Sequence, residues 1–240
     1  MKRLISIFFI LIFISSARAG KTPLSINEAV IYFEKKWTEK QKESFRDTPE
    51  KTAVSESDLT HGIFIRSKWL NIKDAPLLNE FLSMGIDQRH DMSAIILTSL
   101  HRKLNNLPLD IESQVKEVKE YWRPIRACEA VADKLAEENY KKFNIGDSIT
   151  IYLDVDAKFG TRNAIVHQCP DTEWSFDYKN DLMIKGIVID KYSNAEKKNV
   201  SFKVKVTYLS SDNTTVFFKT IKPSSEMEFY LRYLLVKGKD

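Results

Sequence analysis

The spacing of the apolar residues changes near residue 144, and no other feature of the sequence constrains the fold as strongly. Before that point, as in residues 111–122, apolar residues recur every three or four positions, which is typical of amphipathic helices. After it, as in residues 200–208, they alternate with polar residues, which is typical of strands. The sequence therefore predicts an α+β protein, with a helical module at residues 22–143 followed by an antiparallel β sandwich or small barrel at residues 144–240.

Capping signals predict where the helices of the first module begin. Ser25, Thr38 and Ser55 each stand three residues before a Glu, Gln or Asp, which is the spacing of a capping box at a helix start. Further along, Asp91 is expected to be the N-cap of another helix, because its side-chain oxygen can accept from free backbone N–H groups. Pro124 suits the first turn of a helix, so we expect two separate helices to meet next to it.

The helix expected after Ser55 carries residues that could form a site. Helical spacing places Arg66 on one face, while His61 and Trp69 lie on the adjoining strip. These three residues could form a ligand pocket in which the planar guanidinium binds a carboxylate. The alternative is that Arg66 forms an internal ion pair and His61 packs or caps. The residues that share the face of Arg66, which we expect to be buried, are Leu59, Gly62, Ile63 and Leu70.

The second module is expected to consist of short strands joined by polar turns. In the clearest strand, the apolar residues from Val200 to Tyr208 should face inward. Residues 226–236 fit either a strand or a helix, because a capping-box spacing precedes them. The predicted strands are Ile149–Val155, Ala164–His167, Glu173–Tyr178, Leu182–Tyr192, Val200–Tyr208, Thr214–Ile221 and Met227–Val236.

Three motifs follow one another in the first module: Glu28-Ala29-Val30, then His61 with Ile65, Arg66 and Trp69, then Asp91-Met92-Ser93 with Ile95 and Ile96. Over about residues 22–107 the chain thereby resembles a bacterial family of exported proteins of unknown function, seen mostly in Bacteroidota. Ser67 stands where the pattern of that family has Asn. The resemblance implies a helical fold for this part of the chain, and it implies no reaction.

Residues 1–19 have the three parts of a secretory signal peptide. Lys2 and Arg3 form a charged start, an apolar run follows at residues 4–14, and Ala17-Arg18-Ala19 is an A-x-A cleavage site. The apolar run is too short for an ordinary membrane-spanning helix, which needs about 20 residues. No later stretch of the sequence is long and apolar enough either. We therefore expect the mature protein in the periplasm or outside the cell, without a transmembrane segment.

Removal of the signal leaves a chain of nearly balanced charge. The whole sequence has 37 basic and 33 acidic residues, and residues 1–19 contain three of the basic residues and no acidic one. The formal charge therefore falls from +4 to +1, with 34 basic residues against 33 acidic ones. Nucleic-acid binding usually requires a concentrated basic face, so we expect no nucleic-acid partner.

The sequence has two cysteines, Cys128 and Cys169, one in the last predicted helix and one early in the β module. In an oxidising compartment they are expected to form a disulfide. The alternative is two free thiols, in which case His167 would lie on the same face of a strand as Cys169 and could activate its thiolate.

The sequence lacks the familiar signatures of an enzyme, a metal site or a cofactor site. No G-x-S-x-G or glycine-rich phosphate loop occurs, and the four His and two Cys lack zinc spacing. Asp154-x-Asp156 begins like a calcium loop, but Lys158 occupies the third ligand position. We therefore expect no metal and no cofactor.

These observations favour an exported, non-catalytic binding protein of the bacterial cell envelope. Its ligand, a protein or a small molecule, would lie between the modules or at the surface of His61, Arg66 and Trp69. The alternative is a secreted hydrolase or thiol enzyme that uses His167 with Cys169, or His61 with Asp91.

Export predicts a defined N-terminus. Cleavage after Ala19 should give a mature protein that begins at Gly20. Intact-mass measurement of protein recovered from the periplasm or the medium checks this. A membrane-bound product that keeps residues 1–19 would contradict it.

Overall fold

The computed structural model describes residues 22–157, 161–194 and 199–238. The expected signal peptide and Lys158 of the rejected calcium loop lie outside these residues. The chain forms two compact units, of which unit 1 ends at Lys119 and unit 2 begins at Glu120. The predicted α+β class is confirmed, because a helical region is followed by a sheet. None of the described helices combines the length and the apolar character needed to cross a membrane.

The first helices begin where the sequence predicts. Ser25 accepts the N–H of Glu28 at 3.2 Å, and Thr38 accepts the N–H of Gln41 at 3.3 Å while Gln41 caps in return. A π-helical turn, Asp58–Gly62, separates the third helix from the fourth. The helices are α1 (Ile26–Lys36), α2 (Glu39–Asp47), α3 (Glu50–Ser57), α4 (Ile63–Lys68), α5 (Pro76–Ser83), α6 (Arg89–Leu104) and α7 (Ile111–Lys142).

Helix α6 is the centre of unit 1. Its buried residues point in several directions rather than along one stripe, which is typical of a helix surrounded by others. Helices α1, α2, α3 and α4 all contact it. The core around it also contains a group of aromatic side chains, among which Phe33, Trp37 and Trp69 are buried. Burial of this apolar surface is the main stabilising contribution to unit 1.

The π-helical turn changes part of the predicted buried face of Arg66, of which Gly62 and Leu70 are buried as expected. The helix expected at Ser55 starts earlier, since α3 begins directly after Pro49. A π turn contains an extra residue, so the stripe that faces the core moves round the helix from that point on. Leu59 and Ile63, which were expected to be buried, are therefore 74% and 53% exposed, while Ile65 on the adjoining strip is fully buried.

Two other helix boundaries also differ from the prediction. The two helices expected to meet at Pro124 form the single helix α7. Proline lacks an N–H, so it removes one backbone hydrogen bond of the helix without ending it here. Asp91 is not an N-cap, because α6 begins at Arg89 and Asp91 lies in its first turn. A carboxylate there still interacts favourably with the positive end of the helix dipole.

The described strands of unit 2 form one seven-stranded sheet. Its strand order is β5-β2-β1-β3-β4-β6, with β7 also paired to β1. The β2–β5 pair is parallel and the other pairs are antiparallel, so the sheet is mixed, and it curves into a half-barrel. Residues 226–236, which fitted either type, form two strands. The strands are β1 (Ser148–Asp156), β2 (Arg162–Ile165), β3 (Leu182–Ser193), β4 (Val200–Leu209), β5 (Thr214–Val216), β6 (Glu226–Tyr230) and β7 (Leu235–Gly238).

A β-bulge changes the inward face of β4. Alternate residues from Val200 to Val206 are buried, as predicted, but Tyr208 is 47% exposed and Leu209 is buried instead. The register with β3 shifts at Gly186, which pairs with Val206 while the preceding residue pairs with Tyr208. The extra residue in β4 reverses the direction of every side chain that follows. A side chain at position 186 would overlap Val204, so a glycine is needed there.

Two of the predicted strands are wrong or far too long, and a third, expected at Ala164–His167, ends at Ile165. Residues 173–178 form no strand, although their aromatic residues alternate. The strand expected at Thr214–Ile221 ends at Val216, because Phe217 and Phe218 have left-handed backbone conformations with φ of 49° and 63°. In both segments local side-chain and backbone geometry outweighs the β propensity of the residues.

Within unit 2, the C-terminal end of α7 is held to the sheet by a lysine of β3. The Lys191 ammonium donates to the carbonyl oxygens of Tyr140 at 2.5 Å and Phe143 at 2.7 Å. It also lies 4.3 Å from the centre of the Tyr140 ring. A cation at these free carbonyls satisfies the end of the helix and its dipole.

Candidate functional site

In unit 1, Arg66 belongs to a polar cluster formed with Asp58, His90 and Ser93, which we call the Arg66 cluster. The guanidinium donates to the Asp58 carboxylate and, at 2.7 Å, to the Ser93 hydroxyl. The Ser93 hydroxyl lies 3.3 Å from the same carboxylate, and the His90 ring nitrogen lies 3.8 Å from its other oxygen. Arg66 is thus largely buried and satisfied by its neighbours.

Gly62 makes room for this ion pair. A Cβ at that position would overlap the Asp58 carboxylate and lie 2.8 Å from the Arg66 guanidinium. Asp58, Gly62 and Arg66 follow one another at intervals of four residues, so the two charged side chains meet over the glycine. The Arg66 cluster therefore depends on this helical segment as well as on Ser93 of α6.

The three residues proposed as a ligand surface lie in different surroundings. Trp69 is 3% exposed and packs in the aromatic core, with its ring centre 5.3 Å from that of Phe33. His61 lies against the rings of Phe33 and Trp37, and its Nδ1 is 3.2 Å from the Ser57 hydroxyl. Burial lowers the pKa of His61. The structure therefore does not bring His61, Arg66 and Trp69 together around one open surface.

The two cysteines are at bonding distance, as the sequence predicts. Their sulfur atoms lie 2.04 Å apart and their Cα atoms 5.8 Å apart. The bond links α7 to the chain that follows β2. With its sulfur bonded to Cys128, Cys169 has no thiolate to offer as a nucleophile.

The disulfide borders a cavity of about 500 Å³ within unit 2, which we call the unit-2 cavity. This volume falls in the range of ordinary small-molecule sites. Much of its lining is apolar, and it comes from α7 on one side and from the sheet on the other. These apolar residues include Val131, Ala132, Leu135, Leu153, Ile165 and Leu234.

A histidine and a carboxylate occupy one wall of the unit-2 cavity. His167 Nε2 is 2.7 Å from Asp154 Oδ2, and both side chains are about one-third exposed or less. This bond fixes the orientation of the imidazole. The other ring nitrogen, Nδ1, takes no part in the bond. The hairpin of β1 and β2 creates the contact, because Asp154 pairs with Ile165 and His167 follows two residues later.

A second carboxyl group stands behind Asp154. Asp181 is 8% exposed, and burial raises its pKa, with the neighbouring Asp154 carboxylate adding to the effect. A backbone N–H of Asp177 opposes this shift by donating to Asp181 Oδ2 at 2.7 Å. A raised pKa means that the folded protein holds the proton of Asp181 more tightly than the unfolded chain does.

Aromatic rings continue from this wall along the irregular segment after the disulfide. Trp174 lies nearly parallel to the His167 ring, with 6.2 Å between centres. Phe176 contacts Trp174 on one side and Tyr152 on the other, at 6.1 Å and 4.7 Å. Tyr152, Trp174 and Tyr233 line the cavity. Of the aromatic residues in the strand predicted at Glu173–Tyr178, Trp174 therefore lines the cavity, and Phe176 packs against it.

The second catalytic pairing of the alternative hypothesis is not assembled. His61 lines a cavity of about 400 Å³ beside Trp37, whereas Asp91 lines a different cavity of about 510 Å³ beside the Arg66 cluster. Within the part of the chain that the structure describes, no group of three or more His, Cys, Asp or Glu is placed to hold a metal ion.

The comparisons with known proteins concern unit 1. The model of one family, a domain of unknown function (DUF6794), matches residues 22–104. No curated protein and no solved structure matches the chain. The match agrees with the expected resemblance of about residues 22–107 to an uncharacterised family, and it contains the Arg66 cluster. The unit-2 cavity lies outside it.

Sequence reasoning identified His167 but missed its partners. Asp154 was considered only as a calcium ligand, and Asp181 and Tyr233 were not singled out. A hairpin drawn between the strands at Ile149–Val155 and Ala164–His167 would have brought Asp154 near His167. Asp181 and Tyr233 come from distant parts of the chain, and no local signal indicates that they reach this wall.

Removing one partner of the Arg66 cluster should destabilise the protein. Arg66→Ala leaves the Asp58 carboxylate without its main partner and should cost on the order of 3 kcal/mol. Arg66→Lys should recover only part of this, because an ammonium cannot reproduce the planar fork. Thermal melts check both, with Arg123→Ala as control, since that side chain is 74% exposed. An unchanged melting temperature in Arg66→Ala would instead indicate that Arg66 serves a ligand.

The raised pKa of Asp181 predicts how stability varies with pH. The folded protein holds this proton more tightly than the unfolded chain, so Asp181 costs stability as pH rises above its ordinary value of 3.8. Asp181→Asn mimics the protonated carboxyl and should raise the melting temperature at pH 7 but not near pH 3. Asp177→Asn should instead lower the melting temperature at pH 7. Hydrogen bonds from Lys179 and Asn180 lower the pKa of Asp177, so its charged form stabilises the folded protein at that pH. Equal pH profiles for wild type and Asp181→Asn would refute the assignment.

Proposed function

We propose that the mature protein is an exported, non-catalytic binding protein of the bacterial cell envelope, and that the unit-2 cavity holds a small ligand with an apolar body. The observation that carries this proposal is the lining of the cavity, which combines apolar side chains with a small polar group on one wall. Such a combination is usual in ligand sites, where the apolar surface supplies affinity and the polar groups orient the ligand.

Export is supported by two features of the chain. The N-terminal sequence has the order of parts of a signal peptide. The disulfide between Cys128 and Cys169 fits an oxidising compartment, where such bonds persist. A bacterial envelope origin rests on the family resemblance of the first module.

Binding is favoured over catalysis because the unit-2 cavity offers a histidine without an activated nucleophile. Cys169, the thiol that His167 was expected to activate, is bonded to Cys128. Among the described residues that line the cavity, Thr172 carries the one aliphatic hydroxyl, and its oxygen lies 3.8 Å from the Cys128 sulfur. An imidazole held by Asp154 can still recognise a ligand by hydrogen bonding.

The surface of unit 1 is a weaker candidate for the ligand site. The 510 Å³ cavity beside the Arg66 cluster carries charges of both signs, and several of these are already paired, as Arg102 is with Glu50 at 3.2 Å. A ligand there would have to compete with existing ion pairs. A ligand that packs against the apolar walls of the unit-2 cavity does not have to compete with ion pairs there.

The proposal predicts that a charge placed on the α7 wall abolishes ligand capture. Leu135 lines the cavity and is 49% exposed, so Leu135→Arg should block the site without disturbing the core. The mature protein is incubated with an organic extract of the envelope of the producing bacterium, desalted and measured by native mass spectrometry. Wild type should carry a small-molecule adduct that Leu135→Arg lacks.

Leu82→Arg is the matched control, because Leu82 is equally exposed, at 48%, but lies on α5 in unit 1. This variant should retain the adduct, and all three proteins should melt within a few degrees of one another. An adduct retained by Leu135→Arg would show that the ligand binds elsewhere. The absence of any adduct on wild type would count against a small ligand.

A further inference from the structure

The charged groups that line the unit-2 cavity are of one sign, apart from the histidine. Asp154 and Glu173 are both in the lining, and among its described residues there is no Lys or Arg. The formal charge of the lining is thus −2 with a neutral His167 and −1 with a protonated one. An anionic ligand would meet repulsion there, and a cationic ligand would meet attraction.

Basic side chains of adjacent residues are held by other groups. Arg232 precedes the lining residue Tyr233, and its guanidinium lies 2.6 Å from Asp133 and 3.8 Å from Glu129. Lys237 lies over the ring of Tyr152, 5.4 Å from its centre. The first of these cations is neutralised by its own carboxylates, although it also lies 5.3 Å from the centre of the Tyr233 ring. The second occupies one face of Tyr152, which shows that this ring attracts an ammonium group.

The carboxylate of Asp154 is fixed in place before any ligand arrives. His167 holds one of its oxygens at 2.7 Å, and the buried carboxyl of Asp181 stands behind it. A fixed acceptor loses little conformational entropy when it binds a partner. It also keeps negative charge at a defined point of the wall.

Aromatic faces surround the same region. Tyr152, Trp174 and Tyr233 all line the cavity, and Trp174 is stacked over the ring of His167. The negative face of an aromatic ring attracts a cation, and such rings combined with carboxylates are the usual means of binding amine and quaternary ammonium groups.

We propose that the ligand of the unit-2 cavity is an organic cation, an apolar body that carries an amine or a quaternary ammonium group. The cationic group lies against Asp154 and Trp174. The apolar body lies against Val131 and Leu135 of α7. This inference rests on the proposed binding function and adds to it the chemical class of the ligand.

Three probes of the same shape and different charge test the inference. Phenyltrimethylammonium is a cation, tert-butylbenzene is its neutral isostere, and benzenesulfonate is an anion with the same ring. Each is titrated into the mature protein and followed by ligand-observed NMR. The cation should bind roughly tenfold more tightly than the neutral isostere, and the anion should bind more weakly than both.

Variants identify the groups that cause the preference. Asp154→Asn and Glu173→Gln should each reduce the preference for the cation several-fold while leaving the affinity for tert-butylbenzene nearly unchanged. Glu39→Gln removes the same charge from a side chain of α2 that is 83% exposed, and it should change nothing. Because Asp154 also holds His167, the Glu173→Gln variant tests the charge without breaking that bond.

The outcomes separate this inference from the proposed function. Equal binding of the cation and its neutral isostere would overturn the cation preference and leave the cavity as a binding site. Tighter binding of the sulfonate would overturn it as well. If none of the three probes bound, the inference would fail, and the adduct measurement with Leu135→Arg would decide the proposed function separately.

Discussion

The disulfide between Cys128 and Cys169 is the constraint on which the unit-2 cavity depends. The two residues are 41 positions apart, and the loop that they close contains β1 and β2. Closure of a loop of this length stabilises a folded chain by about 4 kcal/mol when only chain entropy is considered. Residues 169–181 form no helix or strand, so ladder hydrogen bonds do not place them. The disulfide and the side-chain contacts therefore hold Trp174 in its wall.

Both units contain buried charged groups, and the way these are satisfied differs. In unit 1, the Arg66 guanidinium, the Asp58 carboxylate and the Ser93 hydroxyl satisfy one another, which offsets the cost of taking them out of water. In unit 2, Asp154 is satisfied on one side by His167 while it also lines the cavity. The first arrangement stabilises a fold, and the second leaves an oriented carboxylate available to another molecule.

The sequence predicted the parts of the fold that depend on neighbouring residues. The caps at Ser25 and Thr38 and the change from helix to strand before β1 are local, and all three were predicted correctly. In the face expected to be buried around Arg66, Leu59 and Ile63 are exposed, because a π-helical turn is not visible in hydrophobic spacing. The continuation of α7 through Pro124 was also missed, because a proline inside a helical pattern usually ends or kinks the helix.

The candidate site was less predictable than the fold for a physical reason. A local pattern can place His167 just after a strand, and the count of cysteines can suggest a disulfide. However, the wall of the cavity is assembled from a hairpin, an irregular segment and the chain before β7, which meet only after folding. Aromatic residues alternate at residues 173–178, which is typical of a strand. The same spacing also occurs where neighbouring rings contact one another in an irregular segment, as they do here.

The cavity wall combines the carboxylate of Asp154, which lies on a strand, with an irregular segment that the disulfide holds. The redox state of the compartment therefore affects one part of the site and not the other. In a reducing compartment the bond to Cys128 would be opened, and the segment that carries Trp174 would keep only its non-covalent contacts. Asp154 would keep its place, because it belongs to β1 and is held by the sheet. The carboxylate thus belongs to the sheet of unit 2, as does Tyr152, while Trp174 belongs to the irregular segment that follows the disulfide. The disulfide beside the cavity fits the oxidising environment that the N-terminal sequence predicts.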